Sequence, residues 1–404
     1  MLLYRFLMYL LAGKELASRL RARDTHAVRA RLGRITPVES ADRIWLHAAS
    51  NGELASARPV IDRLLADGRH LLITTNTDSG LALAKSWNLS KTDAHLAPVD
   101  LPGATKRVIR NWQVTAHITL ESDLWPLRIL SIPGPVLVLG GRLTERSARG
   151  WHRFERLVRR VMAQVTYLSA QDAGSAERFA QFGLSTGARG PVVDLKALYT
   201  RPADMPDTNL MQAFERSETW LAASTHDGED DIILDAHLTA LANRPKLKLI
   251  LAPRHPKRAG DIARKIASHG LTCARRSAGD DPTDAQVYLA DTFGEMHLWY
   301  QLAGVTFVAG SLTDRGGHTP YEPAAFGSAI LYGPDTGNFR AAYDRLSQGH
   351  GAICTPDAEA IANALTSLDS AQKQSKLGQV AQSVLHQGTD LDGLMRDINA
   401  ALDA

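Results

Sequence analysis

The 404 residues are 44% hydrophobic and 22% charged, ordinary for a water-soluble globular fold, and too many for one compact core, so two or three domains are expected. Two cysteines, Cys273 and Cys354, cannot build a disulfide framework, lack metal-ligand spacing and fit a reducing compartment. The net charge of +3 is uneven: up to Arg34 eight Lys/Arg stand against Glu15 and Asp24, an excess of six, so the rest of the chain carries −3 and does not look like a nucleic-acid binder.

The first predicted element lies beside that basic excess. "LLYRFLMYLLA", residues 2–12, is apolar but for Arg5 and falls short of the roughly 20 residues a spanning helix needs. The following "GKELASRLRAR" offers a poor cleavage site for a signal peptide. A helix lying in the membrane interface, with arginines on anionic headgroups, is the preferred reading; a helix docked on the protein's own core is the other.

From Arg43 apolar runs alternate with helical spacing. Strands are predicted at residues 43–48, 70–76, 116–122, 135–141 and 165–170, and helices at 52–68, 79–87, 101–112 and 171–183. A stretch rich in Gly, Pro, Asp and Thr, residues 191–207, reads as a linker. The alternation then resumes, with strands at 219–225, 246–255, 285–291, 305–311 and 328–334 and helices at 228–242, 257–270, 294–304 and 338–349. Polar helical sequence follows from about Ala371. The pattern predicts an α/β fold of two Rossmann-like doubly wound domains facing across a cleft, with strand carboxyl ends toward it. The expected divisions are residues 1–36 (N-terminal helix), 37–190, the linker 191–207, and 208–404 with the terminal helices.

Five predicted strand ends carry reactive side chains. In "HAASNGELAS", Glu53 sits in a first helical turn, either as a functional carboxylate or as the Glu of a capping box with Ser50. In "TLESDLWP", Glu121 and Asp123 stand at i and i+2, able to orient a polar substrate or share a proton, unless Asp123 caps a helix. In "AASTHDGEDD", Ser224, Thr225 and His226 offer hydroxyls and a helix start that suit phosphate, or cap that helix. In "LAPRHPKR", Arg254 and His255 match phosphate or carboxylate. In "RGGHTPYEP", Gly316 and Gly317 let the backbone approach a ligand, and their N–H groups with a helix starting near Thr319 form an expected anion site. His318 donates to phosphate there and Glu322 accepts ribose hydroxyls; the alternative is a tight turn with a capping glutamate. Together these ends suggest a nucleotide-type ligand. Neither a dinucleotide G-x-G-x-x-G after the first strand nor a P-loop is present.

Several segments, in order and spacing, resemble the Kdo (3-deoxy-D-manno-octulosonic acid) transferases. They are "WLHAASNGELASARPVI", "ITTNTDSG", "PVDLPGATKRVI", "ESDLWP", "GRLTERSARGW", "AASTHDGEDDIILDAH", "APRHPKR", "DTFGEMHLWYQLA", "FVAGSLTDRGGHTPYEPAAFG" and "YGPDTGNF". The resemblance covers nearly the whole chain. It implies a metal-independent, inverting glycosyltransferase of the two-Rossmann (GT-B) type on the cytoplasmic face of the bacterial inner membrane, moving Kdo from CMP-Kdo to lipid A precursor (lipid IVA) without a cofactor. Carried over, Glu53 matches the catalytic base and Glu121 the first acidic residue of the Glu-x-Glu-Leu-Trp-Pro motif. Ser224, Thr225, His226, Arg254, His255, Gly294, Glu295, Gly317, His318, Glu322 and Asn338 fall in segments expected to hold CMP-Kdo. The chain departs from the pattern at Asp123 (usually Glu), Leu127, Gly140 and Thr319 (usually Asn), and in "GPVVDLK", which lacks the usual Asn. These departures leave open a paralogue with another acceptor. A nucleotide-sugar 2-epimerase shares the expected fold, and a non-catalytic membrane-associated binding protein is the third alternative.

Overall fold

The computed structural model describes residues 2–199, 201–202, 204–386 and 390–404. The chain divides into two compact units, Met1–Tyr199 with Gly388–Ala404, and Thr200–Gln387. The first holds a six-stranded sheet of β1 (Arg43–Ala48), β2 (His70–Thr75), β3 (Thr92–Leu96), β4 (Val114–Leu120), β5 (Val136–Gly141) and β6 (Tyr167–Ala170), in the order β3-β2-β1-β4-β5-β6. The second holds seven strands: β7 (Thr219–Thr225), β8 (Lys248–Pro253), β9 (Cys273–Arg275), β10 (Val287–Leu289), β11 (Val305–Val308), β12 (Ala329–Tyr332) and β13 (Ala352–Cys354). Their order is β13-β12-β11-β7-β8-β10-β9. Every strand pairing is parallel. Each sheet therefore presents all its strand carboxyl ends along one edge, where ligands of such sheets bind.

The apolar runs explain the central strands. β1 and β5 are buried at every position, as expected when helices cover both faces of a parallel sheet. Ile44, Leu46 and Ala48 pack into one core of the first unit while Trp45 packs into the other, because alternate residues of a strand point to opposite faces.

Three expected boundaries shift. The last helix, Leu391–Leu402, belongs to the first unit and not with the preceding terminal helix. Its stripe of Leu394, Met395 and Ile398 buries in that core, and Asp392 and Asp403 pair with Arg63 and Arg69. The linker is shorter than expected, because Val193, Leu195 and Leu198 also bury in the first unit. Residues 1–36 are likewise part of that unit. The helix Leu2–Arg21 turns its Met8 and Ala12 inward, and Tyr4 donates its hydroxyl to Asp100 at 2.6 Å. Arg31 of the next helix, Thr25–Arg31, donates to the carbonyls of Ala97 and Asn76. Leu3, Phe6, Leu7, Tyr9 and Leu10 nevertheless stay exposed, as does Leu11, which borders the inward face. Among the described residues no helix is long and apolar enough to cross a membrane.

Candidate active site

In the first unit the carboxyl ends of β1, β2 and β4 lie side by side, and three carboxylates gather there. Ser50 caps the helix Asn51–Ser56 by accepting from the Glu53 N–H, and the Glu53 carboxylate accepts from the Ala49 N–H at 2.7 Å. The Ser50 half of the expected capping box is thus present, while the Glu53 carboxylate reaches one residue further back than the box requires. Glu53 is only 9% exposed. Burial, reinforced by the negative charge of Glu121, pushes its carboxyl up to about 7 against the pull of the Ala49 N–H. A carboxylate titrating near neutrality suits a general base.

Glu121 follows β4 with a left-handed backbone, φ 49°, and pairs with Lys196. Asp123 does not share a proton with it and caps no helix; the short helix Pro126–Ile129 begins after Trp125. One Asp123 oxygen instead accepts from His47 Nε2 (2.7 Å), Asn76 Nδ2 (2.7 Å) and Trp125 Nε1 (2.9 Å). The backbone turn at Glu121 sends the two carboxylates to different partners. His47 is fully buried, and burial together with the Arg128 charge pushes its pKa down to about 4. It is therefore neutral and donates Nε2–H to Asp123. Its Nδ1 then accepts from Thr74, whose oxygen accepts from Trp45 Nε1. Burial opposes ionisation of Asp123, but these donors and Arg128 outweigh it and hold Asp123 well below the usual carboxylate range.

In the second unit the ends of β11, β7 and β8 are adjacent, and they bring His318, Ser224–His226 and Arg254–His255 together. The His226 and His318 rings are parallel, with their Nε2 atoms 2.9 Å apart, and His255 meets His226 edge-on. Burial, then His226 and Arg254, push His318 down to about 4, so the stacked pair is neutral and shares one N–H. Arg254 and His255 are exposed. Glu322 is half-buried in the helix Tyr321–Ala325; burial raises its pKa against the Tyr300 hydroxyl and the Arg254 charge.

Several expected roles need correction. The N–H groups of the glycine pair are already bonded: Gly316 to Asp335, Gly317 to the Gly310 carbonyl, and His318 to the Ala309 carbonyl. The helix expected near Thr319 does start close by, at Tyr321, but it spans only Tyr321–Ala325, and with the glycine N–H groups already bonded the expected anion site does not form from backbone. The glycines serve packing instead. Both have positive φ, and a Cβ on Gly316 would meet Asn338 at 2.7 Å. Asn338 itself is exposed and donates to the carbonyls of Arg315 and Gly317. Thr225 is buried and spends its hydroxyl on Asp230. Beyond β10, Gly294 is exposed, and Glu295 is held by Arg276 and Thr292. The groups left open at the central ends are the exposed side chains of Arg254 and His255.

Sequence reasoning missed two organising residues. Glu229 is fully buried and accepts from four backbone N–H groups, those of His226, Gly310, Ser311 and Leu312, which tie the β7 and β11 loops together. Its place in an acidic run hid it among solvated neighbours. His47 looked like one more residue of an apolar strand. Among the described residues no three His, Cys, Asp or Glu side chains are arranged to hold a metal ion.

The family model for 3-Deoxy-D-manno-octulosonic-acid transferase (kdotransferase) matches residues 26–197. The 3-deoxy-D-manno-octulosonic acid transferase of Haemophilus influenzae is 32% identical over 353 residues, covering 85% of this chain and 83% of the relative. The chain belongs to the Kdo transferase family. The enzyme of the same description from Bordetella pertussis is 30% identical over 345 residues, covering 81% and 79%. As a Kdo glycosyltransferase, the chain has the GT-B class of fold, two parallel-sheet α/β units. A UDP-GlcNAc 2-epimerase from Neisseria meningitidis bound to UDP-GlcNAc shares that fold at 13% identity, with a TM-score of 0.60 over 90% of this chain and 99% of that one. The Kdo transferase resemblance expected from the motifs is therefore correct. Of the departures, Asp123, Leu127 and Gly140 lie in the first unit and Thr319 in the second; Leu127 is buried and its N–H donates to Asp100, and Gly140 is left-handed at φ 60°.

Proposed function

We propose that this enzyme transfers Kdo from CMP-Kdo to a lipid A precursor with inversion at the anomeric carbon, and that Glu53 is the base. The observation that carries the reading is a buried carboxylate at a strand end, poised near pH 7. Ionised Glu53 takes the proton of the acceptor hydroxyl as its oxygen attacks the anomeric carbon. The bond from that carbon to the CMP phosphate oxygen breaks on the opposite face, and the electron pair leaves with CMP. Arg254, with His255, supports the reading by offering a guanidinium and an imidazole where the phosphate departs, while the N–H groups of the neutral His226–His318 pair are spent on each other and on the Ser224 backbone. Glu322 accepts ribose hydroxyls, and Ser224, Gly294 and Asn338 border the donor. Glu121, held by Lys196, acts on Glu53 through its charge and raises the proton affinity of Glu53.

The exposed face of the first helix supports attachment to a membrane, the cytoplasmic face of the inner membrane being the proposed location. Six basic residues, Arg5, Lys14, Arg21, Arg23, Arg29 and Arg34, remain exposed beside it for anionic headgroups. Arg19 and Arg31 are excluded from that role, being paired with Glu15.

The test is to incubate the purified enzyme with CMP-Kdo and lipid A precursor and determine the anomeric configuration of the product by NMR. Inversion relative to CMP-Kdo supports the single-displacement reading; retention would refute it.

A further inference from the structure

The mechanism above leaves one prominent group of the first unit unused. Asp123 is anchored three times through a single oxygen, by donors from three different segments: His47 on β1, Asn76 after β2 and Trp125 before the helix Pro126–Ile129. Its second oxygen has no partner among the described residues and is not among the buried unsatisfied atoms, and the side chain is 20% exposed. Three neutral N–H donors hold one oxygen in place and leave the other open. Glu229, a structural carboxylate, spends both its oxygens on backbone N–H groups, whereas Asp123 spends one and leaves the other open, which suits a group that holds a ligand in register.

Two of the anchors, Asn76 and Trp125, also line a cavity of about 160 Å³. Its other walls include Met8 and Leu11 of the first helix and the buried Arg128. The cavity thus lies between the apolar helix and two of the Asp123 anchors, with Asp123 itself outside its lining, and it sets apolar walls beside the polar ones of Glu15, Arg31, Asp100 and Arg128, a mixed lining that suits an amphipathic ligand. The same carboxylate lies close enough to Glu53 to raise its proton affinity.

From this placement we infer that Asp123 is an acceptor-orienting residue, whose free oxygen accepts a hydrogen bond from a hydroxyl of the amphipathic acceptor and presents the acceptor to Glu53. The inference rests on the reading of Glu53 as base. Asp123 does not itself take the proton, because it stays ionised far below the pH at which Glu53 titrates. The division of labour follows from partners: three N–H donors keep Asp123 charged, while Glu53 has one. The charged groups acting on Glu53 are Glu121 and Asp123, which raise its pKa, and Lys196, which lowers it.

Asp123→Asn tests this. Its carbonyl oxygen can still accept from the three anchors, while its amide replaces the free acceptor oxygen with a donor. The acceptor KM should rise at least tenfold with the CMP-Kdo KM within about twofold of wild type. The rising limb of the kcat/KM pH profile should also move to lower pH, since one negative neighbour of Glu53 is gone. Asp123→Glu keeps the charge and displaces the free oxygen by one methylene. It should raise the acceptor KM severalfold and leave the pH limb in place. An unchanged acceptor KM in a folded Asp123→Asn variant would overturn the inference. Should that variant fail to fold, an unchanged acceptor KM in Asp123→Glu overturns it equally. Glu53→Gln separates the two readings: if it retains turnover the base assignment fails, whereas an inactive Glu53→Gln with an indifferent Asp123 sinks only the present inference.

Discussion

Replacing Glu53 with glutamine should make the protein more stable in mild alkali while making it a poorer enzyme. In the folded state the Glu53 carboxyl is raised to about 7 from an ordinary value of 4.5, with burial the largest cause. A group raised in the native state contributes its stability fully below the unfolded value and loses it as pH climbs through the folded one. Between pH 5 and pH 8 the native state should therefore lose about 2–3 kcal/mol through this one residue, the integral of a 2.5-unit separation at roughly 1.4 kcal/mol per unit. Glutamine does not titrate, and its carbonyl can still accept from the Ala49 N–H. Urea denaturation of both proteins at pH 5, 6, 7 and 8 gives the comparison. The stability of Glu53→Gln minus that of wild type should grow by about 2–3 kcal/mol from pH 5 to pH 8, other titrations cancelling. A difference flat with pH would show that Glu53 is an ordinary ionised cap.

Other consequences can be checked separately. Arg254→Ala should weaken CMP binding by about 1.5–3 kcal/mol, the scale of a charge-assisted hydrogen bond, and calorimetry giving wild-type affinity would remove Arg254 from the phosphate site. Glu229→Gln leaves backbone N–H groups of the β7 and β11 loops facing an amide, so it should cost about 2–3 kcal/mol of stability in denaturant titration. Wild-type stability would mean those loops hold without it. Changing Leu3, Phe6 and Leu10 together to Gln should release the enzyme from anionic vesicles in a flotation assay with a melting temperature near wild type, because all three are exposed. A large fall in melting temperature would show that this face is packed.

The fold was legible wherever burial imposed a pattern. All central strands announce themselves as apolar runs, because helices cover both faces of their sheets. The three unrecognised strands, β3, β9 and β13, are all sheet edges. Edges are partly open to water, so "TDAHL", "CAR" and "AIC" carry little apolar signal over five or three residues. The terminal helix was misassigned because its apolar stripe states that it packs, not on what. Strand-end position was legible: Glu53 and Glu121 follow strand ends of the first sheet, and His226, Arg254 and His318 follow strand ends of the second. What each group bonds to was not. The Gly316–Gly317 pair looked like an open anion cradle, yet its N–H groups are consumed by the chain. Glu229, the carboxylate that organises those loops, was one acid among four. Hydrogen-bond partners come from segments tens of residues apart, and spacing along one chain does not encode them.

The central claim is that this enzyme moves Kdo from CMP-Kdo onto a lipid A precursor using Glu53. Mass spectrometry of the lipid after reaction with wild type and Glu53→Gln, with CMP-Kdo affinity measured on both, tests it most directly. The account predicts a lipid carrying Kdo from wild type, transfer reduced by roughly 10²–10⁴ in Glu53→Gln, and donor affinity retained. Unmodified lipid after wild-type reaction, or near-normal transfer by Glu53→Gln, would contradict it.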